Sequence, residues 1–110
     1  MDETHALDGL AALAQENRLR IFRYLVQAGS EGVAAGTIAA ELEIVPNTLS
    51  SHLGQLARAG LIVGHREGRS IRYAADYDGV TKLMTYLLED CCNGQPEVCR
   101  PALATLACAC

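Results

Sequence analysis

Between Pro46 and Tyr73 the apolar pattern changes from a helical period to a strand period across one glycine, which excludes a plain helical bundle. Leu49, Leu53 and Leu56 recur at the spacing of one helix face. Pro46 precedes them, and a proline in a first helical turn gives up only an N–H that has no partner there. The helix is therefore predicted to start at Val45 to Asn47 and to end at Ala59, with Gly60 as its stop. Leu61-Ile62-Val63 then reads as a strand, Arg66-Glu67-Gly68-Arg69 as a turn and Ser70-Ile71-Arg72-Tyr73 as the returning strand. Outside its leucine stripe the helix carries Asn47, Thr48, Ser51, His52 and Gln55. These are uncharged hydrogen-bonding groups of the kind that suits close approach to base edges and phosphates.

The flanks supply the rest of a small domain. Leu7, Leu10, Ala11 and Ala14 mark a first amphipathic helix, roughly residues 3–15. Asn17 is the expected N-cap of a second, whose buried stripe is Ile21, Phe22, Leu25 and Val26 and whose end is Gly29. A short third helix is expected over about 35–43, with Ile38, Ala39 and Leu42 inward. Beyond Asp76, the residues Val80, Leu83, Met84, Leu87 and Leu88 form a wide apolar face on a last helix. That helix should stop near Cys91–Gly94, since Asn93, Gly94 and Pro96 oppose its continuation. The order is that of a winged helix-turn-helix, mainly α with a small β-hairpin, over residues 1–92, followed by a tail over 93–110.

At 110 residues the core is small, and that wide apolar face favours cover from a second subunit. No apolar run approaches the ~18 residues of a membrane span. The acidic start, Met-Asp-Glu-Thr-His, has no apolar block behind it, so a cytoplasmic protein without an export signal is expected. With no Trp and one Phe, no large aromatic pocket and no organic cofactor are expected. The net charge is −4, yet residues 48–73 hold Arg58, Arg66, Arg69 and Arg72 against Glu67 alone, a local +3. A basic segment inside an acidic chain is either a footprint for a polyanion or a solvated charged face.

All five cysteines, Cys91, Cys92, Cys99, Cys108 and Cys110, fall in the last twenty residues. A disulfide framework would be spread through the fold and even in number. Clustered thiols in a reducing compartment instead bind soft ions or sense redox state. Three thiolates without a histidine suit trivalent arsenic or antimony. Structural zinc prefers four ligands with paired spacing, though zinc or cadmium with a fourth thiol from Cys108 or Cys110 stays open. Neighbouring residues on a helix point about 100° apart, so capture by both Cys91 and Cys92 should bend or unwind the helix end.

With these residues in place the chain resembles the arsenic-sensing (ArsR/SmtB) family of bacterial repressors over roughly residues 5–90. The resemblance is carried by Asn17-Arg18-Leu19-Arg20-Ile21, Thr48-Leu49-Ser50-Ser51-His52-Leu53, Leu56-Ala57-Arg58-Ala59-Gly60-Leu61-Ile62, Arg66-Glu67-Gly68-Arg69 and Tyr73. It implies a homodimer built on the first and last helices, here Leu7, Leu10, Leu83, Met84, Leu87 and Leu88, with one recognition helix per half-site of operator double-stranded DNA. Ser50 joins Asn47, Thr48, Ser51, His52 and Gln55 as a contact on that helix, with Arg66 and Arg69 on the wing. The family's best-known arsenic site has cysteines just ahead of the recognition helix, where this chain has Glu41-Leu42-Glu43-Ile44-Val45 and no thiol. Its interhelical zinc site needs histidines, and residues 76–92 offer Asp76 and Asp78 but no His. What remains is similar to members with a Cys-Cys pair at the end of the last helix and a third Cys soon after, here Cys91, Cys92 and Cys99.

The expected function is a dimeric repressor released from its operator by As(III) or Sb(III). A thiol-redox switch or a Zn/Cd-responsive repressor on the same fold is the alternative. An enzyme is not expected, because no phosphate-cradling glycine loop and no Cys-x-x-Cys beside a βαβ pattern occurs.

Overall fold

The computed structural model describes residues 1–88. Its order is α1 (Glu3–Leu13), α2 (Glu16–Ala28), β1 (Val33–Ala34), α3 (Ala35–Leu42), α4 (Pro46–Arg58), β2 (Ile62–Glu67), β3 (Ser70–Ala75) and α5 (Tyr77–Leu88). The winged helix-turn-helix order read from the sequence is present, and it gains one strand. The expected helix stop at Cys91–Gly94 and the tail over 93–110 lie outside the described residues, as do Cys91, Cys92, Cys99, Cys108 and Cys110. Among the described residues no helix is long and apolar enough to cross a membrane.

The core sits where α2, α3 and α4 converge. Ile21, Leu25, Ile38, Leu49, Leu53, Leu56 and Leu61 are fully buried there, and truncating one such leucine to alanine costs about 2–5 kcal/mol. In α2, Phe22 and Tyr24 pack against this cluster from its edge, while Val26 is exposed rather than buried.

Several expectations are corrected by capping and packing. Gln15, not Asn17, caps α2, its side chain accepting from the Arg18 backbone N–H at 2.8 Å. Asn17 lies inside the helix and accepts from Arg20 Nη1 at 3.2 Å. In α1 the buried face is Ala6, Gly9 and Ala12, while Leu7 and Leu10 are exposed. The reason lies on α5: Leu83 is buried, and its side chain comes so close to Gly9 that an added Cβ would sit 3.3 Å from it. Leu83 is therefore a core residue of its own chain rather than part of an outward face.

The added strand, β1, pairs antiparallel with β3 through Val33↔Tyr73 and Ala34↔Arg72, giving the sheet order β1-β3-β2. Two residues are too few for a strand period to register in sequence. Gly32, at φ +81°, makes the pairing fit, because a Cβ there would lie 2.8 Å from the Tyr73 carbonyl oxygen. Arg72 then closes the loop, donating to the carbonyls of Gly32 (2.8 Å) and Glu31 (3.3 Å).

Candidate nucleic-acid interface

α3 and α4 meet through a tight turn. Glu43 takes the left-handed conformation at φ 55°, ψ 48° and ends α3. The Ile44 N–H returns to the Ala39 carbonyl at 3.0 Å. Arg20 reaches across from α2 to the Leu42 carbonyl at 3.1 Å, satisfying an acceptor that the end of α3 leaves open. Its neighbour Arg18 does the same for α1, its Nε donating to the Ala12 carbonyl at 2.7 Å. The two arginines of the Asn17–Arg20 motif are thus helix-end clamps that set how α1, α2 and α3 present α4. No local signal marks this role, since the acceptors lie six and twenty-two residues away.

On α4, Leu49, Leu53 and Leu56 face the core. Asn47, Thr48, Ser50 and Ser51 are exposed, and none of them is charged. Gln55 is half-buried and lines a cleft of about 450 Å³ between α1 and α4, together with Asp8, Ala11, Ala12, Arg18, Arg58 and Ala59. His52 is different. It is 9% exposed and turned inward, its Nδ1 3.5 Å from Arg18 Nη1. Burial, and then the charge of Arg18, hold its pKa below the ordinary value. Expected on the groove-facing surface, His52 instead joins α4 to α2. Its spacing is the signal for this, three residues after Leu49 and four before Leu56, at the edge of the buried stripe.

The wing is the β2–β3 hairpin. Glu67 pairs with Ser70 across the two-residue turn Gly68-Arg69, and Gly68 sits at φ +61°. Glycine first in a two-residue hairpin turn accommodates the twist of the strands. Below the tip, the Tyr73 ring lies across Gly64, where a Cβ would come within 3.0 Å of it. Arg66 and Arg69 are exposed, and among the described residues neither is held in an ion pair. Arg72 is committed to the β1 loop, so the basic segment offers Arg58, Arg66 and Arg69 as exposed cations rather than four arginines. A neutral donor–acceptor face on one helix and exposed guanidinium groups on a hairpin suit base edges and phosphates respectively.

A second exposed face lies elsewhere. Leu7 and Leu10 on α1 and Met84, Leu87 and Leu88 on α5 are all exposed, on two helices that pack together through Gly9 and Leu83. Among the described residues no group of three His, Cys, Asp or Glu side chains is placed to hold a metal ion.

The family described as helix-turn-helix domain matches residues 13–65. An uncharacterized HTH-type transcriptional regulator, YbzH of Bacillus subtilis (strain 168), is 31% identical over 88 residues, covering 69% of this chain and 88% of that protein. Among solved structures, an ArsR-like transcriptional regulator from Rhodococcus sp. RHA1 superimposes with a TM-score of 0.70 at 27% identity, over 96% of this chain and 93% of that one. The homodimeric winged helix-turn-helix DNA-binding domain of Mb0332 from Mycobacterium bovis, a possible ArsR-family transcriptional regulator, gives 0.64 at 27% identity over 77% of each chain.

Proposed function

The chain belongs to the ArsR family of transcriptional regulators, with a DNA-binding helix-turn-helix, and from that premise we propose that it is a homodimeric repressor released from its operator by As(III) or Sb(III). The observation that carries the operator half of this reading is the exposed, uncharged face Asn47, Thr48, Ser50 and Ser51 on α4. It is joined by Arg66 and Arg69 of the wing, exposed and without an ion pair among the described residues. The exposed apolar side chains of α1 and α5, on helices that pack side by side among the described residues, support a dimer, as does the homodimeric Mycobacterium bovis domain. The site of action on this reading is cytoplasmic DNA, and the protein is a regulator rather than an enzyme.

The inducer half rests on donor chemistry. Cys91, Cys92 and Cys99 follow α5 closely and offer three soft thiolates to one ion. The fold also supports a route from that helix to the DNA-facing one. The Asp76 N–H donates to the Leu61 carbonyl at 2.9 Å, and the Asp76 side chain accepts from the Gly79 N–H at 3.1 Å, capping α5. At Gly79 the backbone approaches the Gly60 carbonyl so closely that a Cβ would collide with it. These contacts tie the start of α5 to the chain segment that ends α4, the route by which a change at α5 would reach it. A ligand shifts such an equilibrium only by binding its two states unequally.

The test is arsenite titration of the reduced protein on its own promoter DNA, in excess reductant. Release with three thiols consumed per ion is expected, and Cys91→Ser, Cys92→Ser and Cys99→Ser should bind DNA yet resist release. Release by zinc or cadmium alone, or only on oxidation, would replace the arsenic reading. Normal induction of Cys99→Ser would move the third ligand to Cys108 or Cys110.

A further inference from the structure

We propose that Val45 is a specificity-determining residue that reads the 5-methyl group of a thymine in the major groove, an inference that rests on the DNA-binding reading of α4. Three features fall on two positions, Glu43 and Val45, in the turn between α3 and α4. Glu43 is the sole non-glycine residue at positive φ among the described residues. Val45 occupies the N-cap of α4, where Ser, Thr, Asp and Asn are favoured, and its side chain makes no capping hydrogen bond. It is also 66% exposed, more than any other large apolar side chain among the described residues. The Val45 side chain caps nothing and stays outside the core of its own chain. Departures of this kind collect where function requires them.

The side chain is also well fixed for recognition. Its carbonyl accepts the Leu49 N–H at 2.9 Å, Pro46 follows it in the first turn, and a β-branched side chain is stiff at χ1. Pro46, Asn47 and Thr48 beside it are exposed, so an apolar tip adjoins the polar face. The first residues of a helix-turn-helix recognition helix are those that reach base edges. On those edges the thymine methyl is the apolar feature, and a small aliphatic side chain is its match.

Deoxyuridine substitution tests this because it removes that methyl and nothing else. The full chain would be used to select sites from a randomised duplex library, and each thymine of the selected site replaced singly by deoxyuridine. Wild type should lose about fourfold in affinity at one thymine per half-site, the scale of one buried methyl. Val45→Ala should show no difference between dT and dU at that position while retaining the sensitivities elsewhere. Absence of any thymine with this effect, or an equal dT/dU ratio for wild type and Val45→Ala, would overturn the assignment alone. A changed oligomeric state of Val45→Ala with unchanged DNA preference would assign the residue to a protein contact instead. Failure to enrich any sequence would overturn the DNA reading and this inference together.

Discussion

Arg18 Nη1 stands 3.5 Å from His52 Nδ1, so α2 and α4 meet through a guanidinium that can only donate and an imidazole that can accept only while neutral. Accepting from the guanidinium at Nδ1 requires the neutral ring to carry its proton on Nε2. It also makes the seat of the recognition helix sensitive to protons.

Burial, then the charge of Arg18, lowers the His52 pKa from an ordinary value near 6.5. As pH falls, the unfolded chain takes up this proton before the folded one does. Stability from this group is therefore complete above about pH 6.5 and is lost as pH drops through the folded value. Urea midpoints measured between about pH 7.5 and pH 5 should fall more steeply for wild type than for His52→Gln. Parallel slopes would show that His52 does not carry the dependence.

Arg69 and Gln55 should separate affinity from specificity. Arg69→Ala on the wing is expected to weaken specific and random DNA alike and to reduce the salt slope by about one. Gln55→Ala should relax sequence preference, to a degree limited by its half-buried place in the α1–α4 cleft. Binding isotherms on both DNAs at several salt concentrations distinguish the two, and identical losses for both variants would refute the division.

Leu87 and Leu83 lie on one helix yet should fail differently. Leu87 is 45% exposed and Leu83 is 5% exposed. Leu87→Glu should give a folded monomer that no longer binds operator, whereas Leu83→Ala should lower stability by about 2–5 kcal/mol through loss of its contact with Gly9. Sedimentation and thermal melting of each variant make the comparison. A dimeric Leu87→Glu protein would remove this face from the subunit contact.

Gly79→Ala should cost about 1–3 kcal/mol, because the added carbon meets the backbone carbonyl of Gly60, which has no rotamer to yield. Gly36→Ala in α3 is the control. Nothing lies within 4 Å of the added Cβ there, so up to about 1 kcal/mol of stabilisation is expected. If Gly79→Ala melts like wild type, the α4–α5 junction is softer than this contact implies.

Apart from the two-residue β1, the element order was legible because the elements carry local signatures: a leucine stripe behind Pro46, a stop at Gly60, and strand-forming runs on either side of Gly68. The exposed Asn47, Thr48 and Ser51 followed from their offset to that stripe. Periodicity reports which residues favour burial, and it is silent on which neighbour arrives to cover them. In α1 it favoured Leu7 and Leu10, but Leu83 of α5 needed the small surface of Ala6, Gly9 and Ala12, and the leucines were left outside. Arg72 counted in the sequence as one cation of the basic segment, but the Gly32 and Glu31 carbonyls, forty and forty-one residues away, hold its guanidinium. His52 sits at the edge of the leucine stripe, and the tertiary fold brings Arg18, thirty-four residues earlier, within 3.5 Å of it. Short-range chemistry set the elements, and contacts between residues far apart in sequence decided which of their faces remained free.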